Sequence, residues 1–265
     1  QQPRWWFKVA SGHGGHGSRL LGATKAAAEI ELLASGGSSS ANREVLLQRD
    51  VDDCMKLDDC RFTLRLYLVI IEGKVRSTYL AKQGLVYQAL EGSNITNCSQ
   101  AALRTQGSAR ASGAPPAKDL DWLRQKFDET PGLGPGSFSL LWRRLRRLAL
   151  RCIAGPINAT LEKPMGEVNA ASIVGACLGL PKILGLDVIL AERSPAGLEG
   201  PWPWLLEVNR FPALGMRAPS DALIKLPVVR DAWRLAREDA AALPSQYFIS
   251  DDSTCCLELL SALKT

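Results

Sequence analysis

The sequence predicts a mixed α+β fold, antiparallel strands with flanking helices, and three observations predict it. A strand, a glycine-rich loop and a helix follow one another within residues 5–34. Two alternating segments, 60–73 and 74–84, can fold back on each other through a turn near Gly73. A second pair, 183–192 and 203–210, is joined by a loop rich in Gly and Pro. Strands joined by turns pair antiparallel, and helices outside them cover the sheet faces.

In chain order, "WWFKV" (5–9) is aromatic and apolar enough for a strand, and "SGHGGHG" (11–17) is a loop by its glycines. "ATKAAAEIELLA", within 18–34, is made of helix formers, and "SGGSSSAN" (35–42) is a flexible connector. "EVLLQRDV" (44–51) reads as a buried strand, and "CRFTLRLYLVIIEG" (60–73) alternates as a strand does. Residues 101–118 lack periodicity, and the expected insertion without structure is drawn over 101–136. "FSLLWRRLRRLALRCIAG" (138–155) is a helix with Leu141, Leu145, Leu148 and Cys152 on one stripe and arginines elsewhere. From Asp221 onward the chain reads as helices, ending in a helical tail over 236–265. The expected domains are 1–50, 51–235 and that tail.

Composition sets bounds. The chain has 265 residues, 46% of them apolar, ample for a core. It opens on Gln1, and the reading expects an upstream region to be missing. No apolar run approaches the ~18–20 residues that span a bilayer, so no membrane span is expected. Seven cysteines without a CxxC pair, beside two histidines, argue against zinc and suit reduced thiols in the cytoplasm. Sequon-like triplets at Asn94, Asn97 and Asn158 have no other sign of secretion beside them. A net charge of +5 favours an acidic partner without naming one, and nothing points to nucleic acid.

The residues that carry chemistry lie at strand ends. In "WLLEVNR" an apolar strand turns Glu207 and Asn209 to one face, since i and i+2 share a side. A hairpin symmetric about Gly197 brings Asp187 opposite Glu207. Two adjacent carboxylates repel unless a cation lies between them, and an all-oxygen set suits Mg²⁺. The plainer reading is a strand end that caps its turn. At the other end of the chain Lys8 precedes the loop holding Ser11, Gly12, Gly14, Gly15 and Gly17. Such a loop either offers backbone N–H groups to a phosphate or is simply a flexible connection. The arginine run 143–151 is either a surface for an acidic peptide or a solvated helix face.

Taken together, "LGLDVILAE…PWPWLLEVNRFPALG", "WWFKVASGHGGHG", "EVLLQRDV", "RFTLRLYLVI", "YLAKQGLVYQAL" and "NITNCSQ", in this order, resemble the tubulin–tyrosine ligase-like family of the ATP-grasp superfamily. The resemblance covers roughly 5–100 and 165–230. It implies an ATP-grasp fold in which a nucleotide is held between two subdomains, 1–50 with the phosphate loop and 51–235 with the metal site. By position it assigns Lys8 and the loop 11–17 to the ATP phosphates and Gln48, Arg49, Asp50 and Val51 to the adenine side. It sets Arg61, Thr63, Thr96 and Asn97 near the nucleotide, and gives Arg65, Lys82 and Glu207 to catalysis. Asp187, Glu207 and Asn209 would hold Mg²⁺. Thr63 stands where the family has an aspartate, Lys82 where it has an arginine, and Asn94 where it has a histidine.

The implied activity is ATP-dependent ligation of a free amino acid (Tyr, Glu or Gly) to a protein carboxylate, tubulin or another acidic protein, through an acyl phosphate. The alternatives are a silent nucleotide- or microtubule-binding module and an ATP-grasp ligase with a non-protein substrate. Cytoplasm, cytoskeleton or cilium is the implied place.

Overall fold

Cys60–Glu72 alternates two apolar sets, and both are buried. Leu64, Leu66, Leu68 and Ile70 face one side of the sheet, and Tyr67, Val69 and Ile71 the other. A strand with two buried faces must lie inside a sheet with cover on each side. The computed structural model shows that arrangement. It describes residues 2–9, 18–35, 44–72, 75–89, 117–157, 180–216, 219–240 and 255–264. The chain divides into two compact units, one of Gln1–Arg61 with Gln88–Pro115 and one of Phe62–Tyr87 with Pro116–Thr265.

The first unit carries a three-stranded antiparallel sheet. Strand β1 (Arg4–Val9) is its centre, flanked by β2 (Arg19–Gly22) and β3 (Val45–Arg49), and helix α1 (Ala23–Ala34) follows β2. Here β4 (Lys56–Leu57) pairs with the start of β5 (Cys60–Glu72) around Asp58 and Asp59, whose φ angles are 51° and 58°. Two positive φ values in a two-residue hairpin loop are the type I′ geometry, which prefers Asn-Gly. Loop 11–17 and Thr96 and Asn97 lie outside the described residues.

In the second unit the order β10-β6-β5-β8-β9 builds an antiparallel sheet, joining β6 (Val75–Gln88), β8 (Pro181–Arg193), β9 (Glu199–Asn209) and β10 (Leu257–Lys264) to β5. Tyr67, Val69, Ile71, Tyr79, Ala81 and Leu85 are buried with Ile224, Val228, Ala232 and Ala236 of a long helix, Pro219–Ala240. On the opposite face lie α2 (Leu120–Glu129) and α3 (Ser137–Cys152); the Leu120 and Leu66 side chains both come close to Gly84. The long helix is labelled α4.

Three expectations fail here. The strand expected to be buried, β3, has no buried residue, and its Leu46 is 54% exposed because β3 is an edge strand of a three-stranded sheet. Part of the expected insertion is ordered: β7 (Lys118–Asp119) pairs with β6, and α2 buries Leu120, Leu123 and Phe127. Its N-cap is Asp119, whose carboxylate accepts from the Trp122 amide at 2.7 Å. The apolar spacing i, i+3, i+7 was present but followed directly on a stretch without period. Residues 101–116 lie outside the described set. The end of the chain is also not wholly helical, because Leu257–Lys264 forms the edge strand β10 on β6. Its leucines, alanine, glutamate and lysine favour a helix weakly, and the open backbone of β6 outweighs that preference.

A buried carboxylate fastens this edge. Asp231 on α4 accepts from the Cys256 backbone amide at 2.9 Å and from Arg230 Nε at 2.7 Å. Burial pushes this carboxyl up, but hydrogen bonds from Arg230 and Cys256 outweigh burial and hold it below the ordinary range. Burial, then Asp231, push the Cys256 thiol up to about 12.

Two outcomes follow for stability. Asp59→Gly relieves the left-handed strain and should raise stability by roughly 0.5–1 kcal/mol in urea unfolding. A folded pKa held low stabilises above the unfolded value of 3.8 and loses that stability as pH falls through the folded value. Asp231→Asn should therefore flatten the decline of melting temperature below about pH 4.

Candidate functional site

The polar row on the α4 face of the sheet begins where the buried apolar cluster ends. Along β5 the residues facing this side run Ile71, Val69, Tyr67 and then Arg65, the first three packed in the α4 cluster. Opposite Arg65 stands Asp187 of β8, and opposite Asp187 stands Glu207 of β9. The next row is Tyr67, Gly185 and Asn209. At the site the β8–β9 register is the expected one, Asp187 opposite Glu207. Nearer the turn, where Gly197 has a φ of 78°, it is offset, with Val188 opposite Leu205 and Arg193 opposite Glu199.

A single extra residue on β9 decides which face Glu207 takes. Asp187 pairs with Glu207, but Val188 pairs with Leu205, so Leu206 is a bulge. Before the bulge Pro203 lies opposite buried Leu190, facing the α2 and α3 side. After it Glu207 and Asn209 face the α4 side. Bulges re-aim side chains in this manner near sites.

The side chains close on one another. Arg65 grips both carboxylate oxygens of Asp187: Nε donates to Oδ1, and Nη2 donates to Oδ2 at 2.7 Å. The Asn209 amide donates to Asp187 Oδ2 at 2.9 Å and to Glu207 Oε1 at 3.0 Å. Arg65 and Asp187 each keep 17% side-chain exposure, and Glu207 is exposed, so the row is reachable by solvent at its β9 end. Burial pulls the Arg65 guanidinium down, but its hydrogen bond to Asp187 and that group's charge outweigh burial and hold it above the ordinary arginine value. Just past Asn209, Phe211 is 84% exposed, with the Arg210 guanidinium 5.3 Å from its ring centre.

Of the other expected residues, Thr63 continues the same face of β5 beyond Arg65, and the rest have separate surroundings. Lys82 is exposed on β6, and its backbone amide donates to Cys256 O at 2.7 Å. Thr63 is buried opposite Ile189. In the first unit Lys8 Nζ donates to Gln48 Oε1 at 2.7 Å across β1 and β3. Arg49 is exposed and Val51 half-buried. Buried Asp50 is an ion-pair hub: it accepts from Trp6 Nε1 at 2.9 Å and pairs with Arg4 at 2.8 Å and Arg61 at 3.4 Å. Arg61 thus faces an internal carboxylate. On α3, Arg144 donates to Pro201 O and Arg146 pairs with Glu258, while Arg143, Arg147 and Arg151 are exposed one turn apart. Sequence reasoning missed the Arg65–Asp187 pairing, whose partners are 122 residues apart.

Chemically, the row combines two carboxylates, one amide and one guanidinium at the open end of an antiparallel hairpin. Among the described residues no cluster of three His, Cys, Asp or Glu side chains that could hold a metal is found. The set thus offers hard oxygen donors and an oriented guanidinium side by side.

Comparison with known proteins sharpens this. No protein-family model matches the chain. It is 23% identical over 194 residues to "Probable tubulin polyglutamylase TTLL2" of Homo sapiens, covering 70% of this chain and 29% of that protein. It is 24% identical over 204 residues to "Tubulin polyglutamylase ttll-4" of Caenorhabditis elegans, covering 72% of this chain and 31% of that protein. The chain therefore spans under a third of the length of these curated relatives. Both matches are to proteins named as tubulin polyglutamylases, so the chain is similar to that group over about 70% of its own length.

Removing the guanidinium should expose the strain in this row. Arg65→Met should cost roughly 1–3 kcal/mol in urea unfolding, because it leaves the Asp187 carboxylate short of a donor beside Glu207. The double variant Arg65→Met/Asp187→Asn should cost clearly less than the two single losses added together.

Proposed function

We propose that this chain carries the catalytic sheet of an ATP-dependent carboxylate–amine ligase of ATP-grasp type. The observation that carries the reading is the row Arg65–Asp187–Glu207 with Asn209 hydrogen-bonded between the two carboxylates. The two relatives support the reaction class, and their names favour glutamate as the added residue and tubulin as the acceptor. A tubulin acceptor implies action at the cytoskeleton. The exposed arginines 143, 147 and 151 are a candidate approach surface for an acidic acceptor.

The donor set fits Mg²⁺ in kind. Asp187, Glu207 and the Asn209 amide are hard oxygen donors, and this ion takes few protein ligands and completes its shell with water and phosphate. Asn209 turns its nitrogen to both carboxylates, so holding the ion asks its amide to turn over. When bound, Mg²⁺ would neutralise charge along the ATP phosphates. Lys8 and Gln48 remain the nucleotide contacts proposed for the first unit.

In the reaction, an acceptor carboxylate oxygen takes the γ-phosphoryl group of ATP, releasing ADP and leaving an acyl phosphate. The α-amine of the free amino acid then attacks the acyl carbon, phosphate departs, and the nitrogen gives up a proton. Little covalent work falls to the chain. Arg65, with its fork of donors fixed by Asp187, is placed to stabilise charge on a transferring phosphoryl group. Excluding water keeps the acyl phosphate from hydrolysis.

The test offers ATP, Mg²⁺, tubulin and labelled Glu, Tyr or Gly, one amino acid at a time. Glutamate should be incorporated in an ATP-dependent manner. Glu207→Gln should cut incorporation by at least about 100-fold with circular dichroism and melting temperature preserved. Full incorporation by this variant would overturn the assignment of the carboxylate row.

A further inference from the structure

We infer that Gly185 is a positioning residue, whose missing side chain opens the track along which Arg65 reaches Asp187. The backbone of Gly185 does not call for glycine: its φ lies outside the left-handed region. What calls for glycine is space. A Cβ there would stand 3.0 Å from Pro212 Cβ, 3.1 Å from Arg65 Cδ and 3.5 Å from Arg65 Nε. Carbon atoms in contact prefer about 3.5–4.0 Å, so the first two neighbours would have to move.

The geometry explains why. Arg65 and Asp187 are direct cross-strand partners, but a guanidinium that meets its carboxylate side-on must run its stem along the sheet before turning. Gly185 lies two residues before Asp187, on the same face, and gives that stem its floor. Buried Tyr67 is its neighbour on β5 and Asn209 its neighbour on β9, so no other gap opens in this row.

A second glycine supports the assignment. Among the described glycines, only at Gly84 and Gly185 would a Cβ fall within 3.4 Å of another atom, and both would strike Arg65. At Gly84 the collision is with the Arg65 carbonyl oxygen, at 2.7 Å. The arginine is thus seated by two gaps, one against its backbone and one under its side chain. The Gly185 gap also admits Pro212, so one Cα sets both the guanidinium and the loop that follows Asn209. Lys225 Nζ, donating to Gly215 O at 2.9 Å, ties that loop to α4.

The inference rests on the ligase reading only in giving Arg65 a use. Its test does not need ATP, tubulin or turnover. Melting temperatures of Arg65→Lys, Asp187→Asn and the double variant form a cycle, run once in the native chain and once in Gly185→Ala. The two shifts should be clearly non-additive in the native chain and markedly closer to additive in Gly185→Ala, because displacing the Arg65 stem disturbs its two-pronged hold on the carboxylate. A purely structural glycine would lower every melting temperature and leave the non-additivity intact, and that result overturns the inference. Should Gly185→Ala not fold, adding Arg65→Ala and Pro212→Gly removes both side chains that the new Cβ strikes. Recovery of a cooperative melt is then expected, and failure to recover would overturn it equally. A chain without any ligase activity gives the same readouts.

Discussion

Two carboxylates directly opposite each other on neighbouring strands repel, and the described structure places Asp187 and Glu207 in that relation. The arrangement stands because each carboxylate has a donor. Arg65 occupies both oxygens of Asp187, and the Asn209 amide hydrogen-bonds to both acids. The geometry of the second unit near this row can be understood as what that neutralisation requires. Three strands must be in register, the glycines must leave room, and the bulge at Leu206 must turn Glu207 to the same face as Asp187.

The same constraint links the site to the core. One face of β5 packs Tyr67, Val69 and Ile71 in the α4 cluster and continues as Arg65. The alternation that buries the apolar residues also fixes where the guanidinium emerges. A slip of one residue between β5 and β8 would send Arg65 to the α2 side and bring Leu64 or Leu66 against Asp187. The buried side chains therefore hold the register on which the charged row depends, and α4, through Lys225 and Asp231, ties both the loop after β9 and the approach to β10 to that core.

How much of this was legible depended on distance along the chain. The Asp187–Glu207 pairing could be read because a short turn near Gly197 joins the two strands, although symmetry about Gly197 holds only beyond two register shifts that the sequence does not show. Helix α1 matches the run "ATKAAAEIELLA", because alanine-rich composition is a local signal. The pairing of β5 with β8 was not legible: the strands are separated by more than a hundred residues, and alternation gives a face but no partner. Thus Arg65 could be expected near an anion without showing that the first anion it meets is Asp187. The Leu206 bulge left no mark in an apolar run. The segment β7–α2 was hidden by the aperiodic stretch before it, and β10 by helix-favouring residues that an open strand edge overrules.

The charge balance of the row carries the last step. Asp187 and Glu207 contribute two negative charges and Arg65 one positive, which leaves one negative charge at an exposed edge. Arg65 fully engages Asp187, whereas Glu207 faces solvent with an amide as its neighbour. A cation approaching from solvent therefore meets Glu207 before it meets Asp187. An arginine held in a bidentate fork is also a donor set already oriented, with little rotamer freedom left to lose when an oxyanion arrives. Cation-seeking and anion-seeking groups thus share one end of one sheet, and their order from edge to interior is carboxylate, carboxylate, guanidinium. That order follows from the strand order β9, β8, β5, so the polarity of the site is a property of the topology as much as of its residues.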